Sequence, residues 1–278
     1  MSDVIRQAAK PTPLKPAAVR AQAPRDPYAR WGWLGLVAFF GGWEAISDSG
    51  LVNTVMVPAP SAVLRAGWAL AASGELLHHL IDSLWRALAG FALGAAFGLL
   101  LGIAMARLPR LNAFINPLMQ MLRAIPSLAF VPLAIFWFGI GEGSKIFLIA
   151  WGVFFPVWVN TYLGVSHRNP QFERAAASLG ATGWRLLWFV TLPAALPFII
   201  AGIRVSLSMA LVLLVAAELT GANYGVGYLI QMSQQIFRVD NMFVGLIALG
   251  VLGFAVDHLF DRGVRRLLPW YGAQSNAR

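Results

Sequence analysis

This chain of 278 residues contains no cysteine and far fewer charges than a water-soluble domain. Without cysteine it can hold neither a disulfide nor a thiolate metal site. Charged residues make up 12% of it, against roughly 25% in soluble domains, so it lacks the polar groups needed to face water on all sides. No H-E-x-x-H spacing occurs. The adjacent His78 and His79 would leave a helix in different directions, and they are placed in an aqueous loop rather than on a metal. No serine stands in a G-x-S-x-G turn. The run Gly139-Ile140-Gly141-Glu142-Gly143-Ser144-Lys145 lacks the G-x-x-x-x-G-K-[ST] spacing that cradles phosphate, and reads as a tight turn between helices. These absences point to no metal, no cofactor and no catalytic residue, so the chain is not expected to be an enzyme.

What the chain has in abundance is apolar sequence, 58% of the total. Formal charge is missing from Ala87–Ala106, Ala124–Gly141, Ile146–Ser166, Leu186–Ile203 and Asn241–Val256. A spanning helix needs about 20 mostly apolar residues, and in lipid every backbone polar group must be satisfied within the protein. The expected fold is therefore all-α and polytopic, with about six membrane helices near Trp31–Ser49, Ser83–Ala106, Pro117–Phe138, Lys145–Gly164, Pro197–Leu219 and Met242–Phe260. Glu44 interrupts the first, so five spans preceded by an anchor segment is the alternative. The runs are continuous rather than alternating, which excludes a β-barrel.

The formal net charge of +9 raises nucleic acid as a partner, but the placement of the charges argues for membrane orientation and against nucleic acid. Arg6, Lys10, Lys15, Arg20, Arg25 and Arg30 precede the first segment. Arg107 and Arg110 follow the second, Arg168, Arg174 and Arg185 the fourth, and Arg262, Arg265, Arg266 and Arg278 the sixth. The opposite loops hold only Arg65, Lys145 and Arg238, with Arg86 just inside the second span. The positive-inside rule then puts both termini and the loop around Glu173 in the cytoplasm. Residues 1–30, rich in Pro and Ala with no apolar run, read as a disordered basic tail. Residues 31–264 form the membrane domain, with a cytoplasmic loop at 165–193, and 265–278 a cytoplasmic C-terminal tail.

Gly90, Gly94, Gly98 and Gly102 recur every four residues on one helix face. Such a face lets helix backbones approach closely in lipid; it reads as static packing within the subunit, with a sliding seam as the alternative. Pro126 and Pro132 interrupt the third span and Pro156 the fourth, and proline removes a backbone donor. Arg123, with Pro126 and Ser127, is a candidate for an anion pathway because charge at membrane depth is costly; snorkelling to the interface is the other account of Arg123, and the favoured one of Arg204. Glu218 is expected to cap or brace the Thr220–Tyr228 loop, whose glycines read as tight turns or a re-entrant hairpin.

The most distinctive segment is ERAAASLGATGWRLLWFVTLP, Glu173 to Pro193. Ala175, Ala176 and Ala177 are small helix formers, Gly180 a helix terminator, Thr182 a possible cap for the next turn, and Pro193 the close of the segment. A small-faced helix ending in glycine suits docking into another protein's groove, with an ordinary amphipathic loop between spans as the alternative. The segment resembles the E-A-A-x-x-x-G…L-P motif of bacterial ABC importer permeases. Ala175 and Ala176 fall on its alanines, and Leu192 and Pro193 on its L-P. Arg174 stands where the family usually has glutamate, with Glu173 one place early. The resemblance runs from about Val57 to Trp270 and is close to the nitrate/sulfonate/taurine permeases in MLRAIPSLAFVPLAIFWFGIGEGSKIFLI (Met121–Ile149) and AAELTGANYGVGYLI (Ala216–Ile230).

The resemblance implies a type I ABC importer permease fold and a multi-pass protein of the bacterial inner membrane. It implies two copies of this chain forming the path in membrane lipid, two cytoplasmic ATPase subunits and a periplasmic solute-binding protein. The coupling residues it implies are Glu173, Arg174, Ala175, Ala176, Gly180 and Pro193. Segments Ser73–Phe91 and Leu187–Pro197 resemble aliphatic sulfonate and taurine permeases respectively, so an aliphatic sulfonate is the expected substrate, with taurine, nitrate or another small solute on the same scaffold as alternatives. An ion channel would show rings of charge or a carbonyl filter, and a membrane enzyme clustered polar groups at depth; the spans offer neither.

Overall fold

A computed structural model describes residues 29–167 and 170–268. The basic tail expected at 1–30 lies outside them except for its last two residues, as do residues 269–278 of the expected C-terminal tail. The chain divides into two units, 1–43 and 44–278. The first contributes the start of helix α1 (Ala29–Asp48), where Phe39 and Phe40 make an edge contact at 5.3 Å and Trp43 stacks on Phe40.

In the second unit α2 (Pro60–Ala72) leads to α3 (Glu75–Arg107), α4 (Pro109–Ala124), a 3₁₀ turn (Ser127–Phe130) and α5 (Val131–Phe138). Then come α6 (Glu142–Ser166), α7 (Pro170–Ser178), α8 (Gly183–Leu186), a π-type turn (Leu187–Thr191), α9 (Leu192–Leu219), α10 (Val226–Gln235) and α11 (Val239–Leu267). No strand occurs among the described residues. Three of the long helices are matched to their dipoles: Glu75 begins α3 and Arg107 ends it, Glu142 begins α6, and Asp240 begins α11, which closes on Arg265 and Arg266.

Among the described residues, four helices are long and apolar enough to cross a membrane: Glu75–Arg107, Glu142–Ser166, Gly183–Leu219 and Val239–Leu267. The third expected span, Pro117–Phe138, is corrected. It is a broken pair, α4 and the stretch Ser127–Phe138, bent by 91°. Pro126 has no N–H to continue the helix, and it pushes Ile125 into an extended conformation (ψ 123°). Counting that pair as one gives five apolar spans rather than six. Residues Trp31–Ser49 do form a helix, but one that carries Arg30, Glu44 and Asp48 and is not among those spans. Glu44 acts locally, its carboxylate accepting from the backbone N–H (3.1 Å) and hydroxyl (2.7 Å) of Ser61, in the first turn of α2.

The other expected spans lie within longer helices. The 33 residues of α3 reach about 50 Å, beyond the roughly 30 Å hydrocarbon layer, and begin eight residues before Ser83. His78 and His79 are therefore helical, and His79 is buried; the aqueous-loop reading of that pair is overturned. Lys145, expected at a loop, is buried in the first turn of α6.

Helix α6 is the hub, flanked by α3 and α9, and Ile149, Val153, Val157 and Leu214 are fully enclosed there. The glycine stripe makes the α3–α6 seam. A Cβ at Gly90 would lie 2.6 Å from that of Ile149, one at Gly98 2.8 Å from the Phe154 carbonyl, and one at Gly94 would overlap the Ala150 carbonyl. Gly102 meets Thr161 and Trp158 in the same way. On the other side, Gly164 meets Phe198 and Gly202 meets Asn160. Outward faces carry Trp68, Phe97, Phe136 and Phe254, all largely exposed; for a spanning protein that surface faces hydrocarbon.

Candidate functional site

The segment matched to the coupling motif forms α7, α8 and the π-type turn, at the end of the bundle where α6 finishes and α9 begins. Glu173 sits half-buried in the first turn of α7, where a carboxylate favours the helix dipole. Arg174 and Ala175 are exposed, whereas Ala176 is buried against its own chain. Only one of the two motif alanines therefore faces outward. Leu179, 88% exposed, and Phe172 extend the outward surface. Gly180 lies at φ +83°, and the chain closes behind α7 through bonds from the N–H of Gly180 to Ala177 O (3.0 Å) and of Ala181 to Ala176 O (2.9 Å). A side chain at Gly180 would meet nothing within 4 Å, so the constraint there is backbone conformation alone.

The rest of the segment differs from its sequence reading. Thr182 occupies the N-cap position of α8 but makes no side-chain capping bond. Pro193 does not close the segment. It lies in the first turn of α9, continuous with the π-type turn, and the Leu192 N–H bonds back to Leu187 O, five residues earlier. Trp184 and Trp188 meet edge to face at 5.6 Å beside Arg185, and both are exposed.

At the bend, Arg123 is exposed in the last turn of α4 and makes no hydrogen bond or ion pair among the described residues. Pro126 and Ser127 follow immediately, Ser127 half-buried. A cavity of about 530 Å³ lies beside the bend, lined by apolar groups including Leu93, Phe97, Met119, Phe147 and Trp151. None of Arg123, Pro126 and Ser127 lines it. Arg204 pairs with Asp257 (3.7 Å) and Asp261 of α11, so it has partners within the bundle rather than relying on snorkelling.

The opposite end of the bundle holds a polar cluster that the sequence reading grasped only through Glu218. Buried Arg86 on α3 donates from Nε and Nη2 to both oxygens of Glu142 at 2.6 and 2.9 Å. Its Nη1 donates to Glu218 (2.9 Å) and to the Tyr224 carbonyl (2.6 Å). Glu218, fully buried at the end of α9, also accepts from Ser83 Oγ (2.7 Å) and from the Gly227 N–H (2.8 Å). Ser83 Oγ accepts the Val226 N–H (2.8 Å), and His79 Nδ1 the Gly225 N–H (3.0 Å). Lys145 donates to Glu142 (3.3 Å) and Gly141 O (3.1 Å). Two cations and two carboxylates leave the cluster neutral.

Three donors that open α10 thus find buried acceptors, meeting the need of any helix N-terminus enclosed in protein. Glu218 braces the Thr220–Tyr228 loop as expected, with Arg86, Ser83, His79 and Glu142 as unforeseen partners. The signal was available: 79, 83 and 86 fall at helical spacing on the face that continues into Gly90, Gly94, Gly98 and Gly102. No group of His, Asp or Glu among the described residues is arranged to hold a metal ion.

The family model described as "Binding-protein-dependent transport system inner membrane component" matches residues 94–271. A protein of Bacillus subtilis (strain 168) named for aliphatic sulfonates transport, the permease SsuC, is 40% identical over 245 residues, 87% of this chain and 89% of the relative. The taurine transport system permease protein TauC of Escherichia coli (strain K12) is 35% identical over 83% of this chain and 86% of its own. Among solved structures, the MetNI methionine ABC transporter in inward facing conformations contains a chain matching with TM-score 0.55 at 20% identity, over 68% of this chain and 95% of that one. An amino acid ABC transporter with histidines matches at TM-score 0.56 and 16% identity, over 72% and 95%. At such identities the two structures speak for the fold alone.

Proposed function

The chain belongs to the family of binding-protein-dependent transport system inner membrane components, and from that premise we propose that it carries a small organic anion, an aliphatic sulfonate or taurine, across the inner membrane. It is a multi-pass membrane protein and a transport subunit rather than an enzyme. The observation that carries the substrate reading is likeness along nearly the whole chain, at 40% and 35% identity, to relatives named for aliphatic sulfonates and for taurine. Two copies form the path, a pair of ATPase subunits supplies the energy and a periplasmic solute-binding protein delivers the anion. Helix α7 docks on the ATPase through Arg174 and Ala175, joined by the exposed Leu179 just past its end, while Glu173 and Ala176 anchor it to its own subunit and Gly180 sets the turn behind it. Closure of the ATPase pair moves α7 and turns the bundle from open on one side to open on the other, a rigid-body switch. Arg123, a cation with no partner among the described residues, stands beside the bend, which supports a part in attracting the anion.

Orientation follows from charge: α7 and the C-terminal end of α11 face the cytoplasm, the Arg86 cluster faces the periplasm, and a cytoplasmic N-terminus requires α1 to cross the membrane as well. The test of function is uptake. Produced with its ATPase and binding protein in cells lacking sulfonate uptake, the chain should restore accumulation of labelled ethanesulfonate or taurine. Accumulation of nitrate with none of either sulfonate would refute the substrate reading. For orientation, single cysteines in place of Arg65, Ile140 and Arg185, all exposed, can be labelled in intact cells with an impermeant thiol reagent. Labelling should occur at 65 and 140; labelling at 185 alone would reverse the topology.

A further inference from the structure

The polar cluster is built around a short stretch of backbone. Four consecutive residues, Tyr224 to Gly227, each give one backbone polar group to a side chain of α3 or α9. Neither Gly225 nor Gly227 has room for a side chain: a Cβ at Gly225 would overlap the Glu218 carboxylate, and one at Gly227 would lie 2.8 Å from Glu218 Cβ. Gly225 stands at φ +127°. The neighbouring turn is drawn into the same assembly, since Glu142 receives Arg86 while Ile140 reaches within 2.8 Å of where a Cβ of Gly221 would stand. Helices α3 and α6 are already held together by the glycine seam, so joining them does not require Arg86. What the cluster adds is a fixed place for residues 220–227. On its open side that turn presents Tyr224, 55% exposed, beside Ile140 of the neighbouring turn between α5 and α6, 76% exposed.

We propose that Arg86 and Glu218 are positioning residues for transport: acting through the Tyr224–Gly227 backbone, they hold the 220–225 turn in the one placement at which the soluble binding protein engages this chain. The inference rests on the orientation and function proposed above. The turn contributes its contact surface only while its backbone is pinned, because an unpinned loop must be ordered at each docking event, and that ordering weakens binding. The side chains that pin it are enclosed and do not themselves touch the partner.

The test uses the complete transporter in lipid, assembled with its ATPase, and follows ATP hydrolysis as cognate binding protein saturated with taurine or ethanesulfonate is titrated. Ser83→Ala removes one hydroxyl, leaves the Val226 N–H without its acceptor and keeps every charge pair. Expected is assembly at wild-type yield and a rise of about fivefold or more in the binding-protein concentration giving half-maximal stimulation. Arg86→Lys keeps the charge but cannot reach Glu142, Glu218 and Tyr224 O together; it should raise that concentration further while the maximal rate per assembled complex changes less. A cluster that served only to fold the bundle would lower yield and maximal rate while leaving the half-maximal concentration untouched, and that pattern would overturn the inference. Amide hydrogen exchange over 222–228 gives a second reading: faster exchange confined to that stretch in Ser83→Ala supports the proposal, and unchanged exchange overturns it. A wild-type complex that neither loaded form stimulates would overturn the functional reading itself, and this inference with it. A stimulated wild type whose variants respond at unchanged concentrations would overturn the inference alone.

Discussion

The two ends of this bundle are built on opposite terms. At the Arg86 end, the backbone entering α10 is gripped by buried His79, Ser83, Arg86 and Glu218, and the glycines there have no room for a side chain. At the α7 end, Gly180 and Gly183 stand at φ +83° and +55° with open space around both, and α7 shows Phe172 and Leu179 to its surroundings. At the first end the polar groups of the cluster are satisfied inside the chain, while at the second the turn glycines stand clear of their neighbours. The contrast separates fixed from jointed: one backbone is held by buried side chains, and the other turns in open space.

Substitutions can break that contrast. The largest effect is expected from Arg86→Met, which strands Glu218 in a fully buried position. Losing one member of a buried ion pair costs about 3–5 kcal/mol, so the purified protein should melt well below wild type in detergent; a wild-type melting temperature would mean the Arg86 end is not the rigid one. Gly94→Ala comes next. Its methyl would press on the Ala150 carbonyl, a backbone atom, and overpacking of that kind costs about 1–3 kcal/mol. Lower thermal stability is expected with α7 function intact in whatever folds, and unchanged stability would show the seam to be looser than drawn.

Gly180→Val should cost about 1–2 kcal/mol, through its left-handed conformation alone. Here the expected signature is inverted. Insertion and melting of the membrane part stay as in wild type, while hydrolysis no longer responds to loaded binding protein. Full stimulation and uptake in Gly180→Val would remove α7 from the coupling path. The smallest effect is reserved for Arg123→Ala, which should slow anion uptake by roughly twofold to tenfold through lost electrostatic attraction, with Arg123→Lys retaining more. Equal uptake by wild type and Arg123→Ala would take Arg123 out of the pathway.

The sequence disclosed unequal amounts of these two ends. Long uncharged runs made the helical membrane fold legible, because hydrocarbon leaves few ways to satisfy a backbone. Gly90, Gly94, Gly98 and Gly102 announced a close seam, and Gly180 its turn. What stayed hidden depended on partners distant in the chain. His79 looked like a loop residue because nothing near it in sequence accounts for burying it; its partner, the Gly225 N–H, lies 146 residues away. Lys145 read as a loop charge until Glu142, itself held by Arg86, supplied the reason to enclose it. Pro126 was seen as a kink, yet the size of the bend follows from Ile125 leaving helical conformation beside it, a joint effect that counting apolar residues cannot register. Pro193 looked like a boundary because proline often is one, whereas the widened turn before it takes up the missing donor.

That widened turn has a consequence for how the chain tolerates change in length. A π-type turn amounts to one residue inserted into an α-helix, and the widened turn Leu187–Thr191 absorbs that residue, so α8 before it stays close to the phase of α9 after it. Deleting a single residue there would restore ordinary helical winding and leave α8 near its present facing, whereas deleting one from the regular part of α9 would, at 3.6 residues per turn, swing everything before it by about 100° and draw it in by about 1.5 Å. The facing of α8 therefore tolerates the loss of a residue within that five-residue stretch and not beyond it.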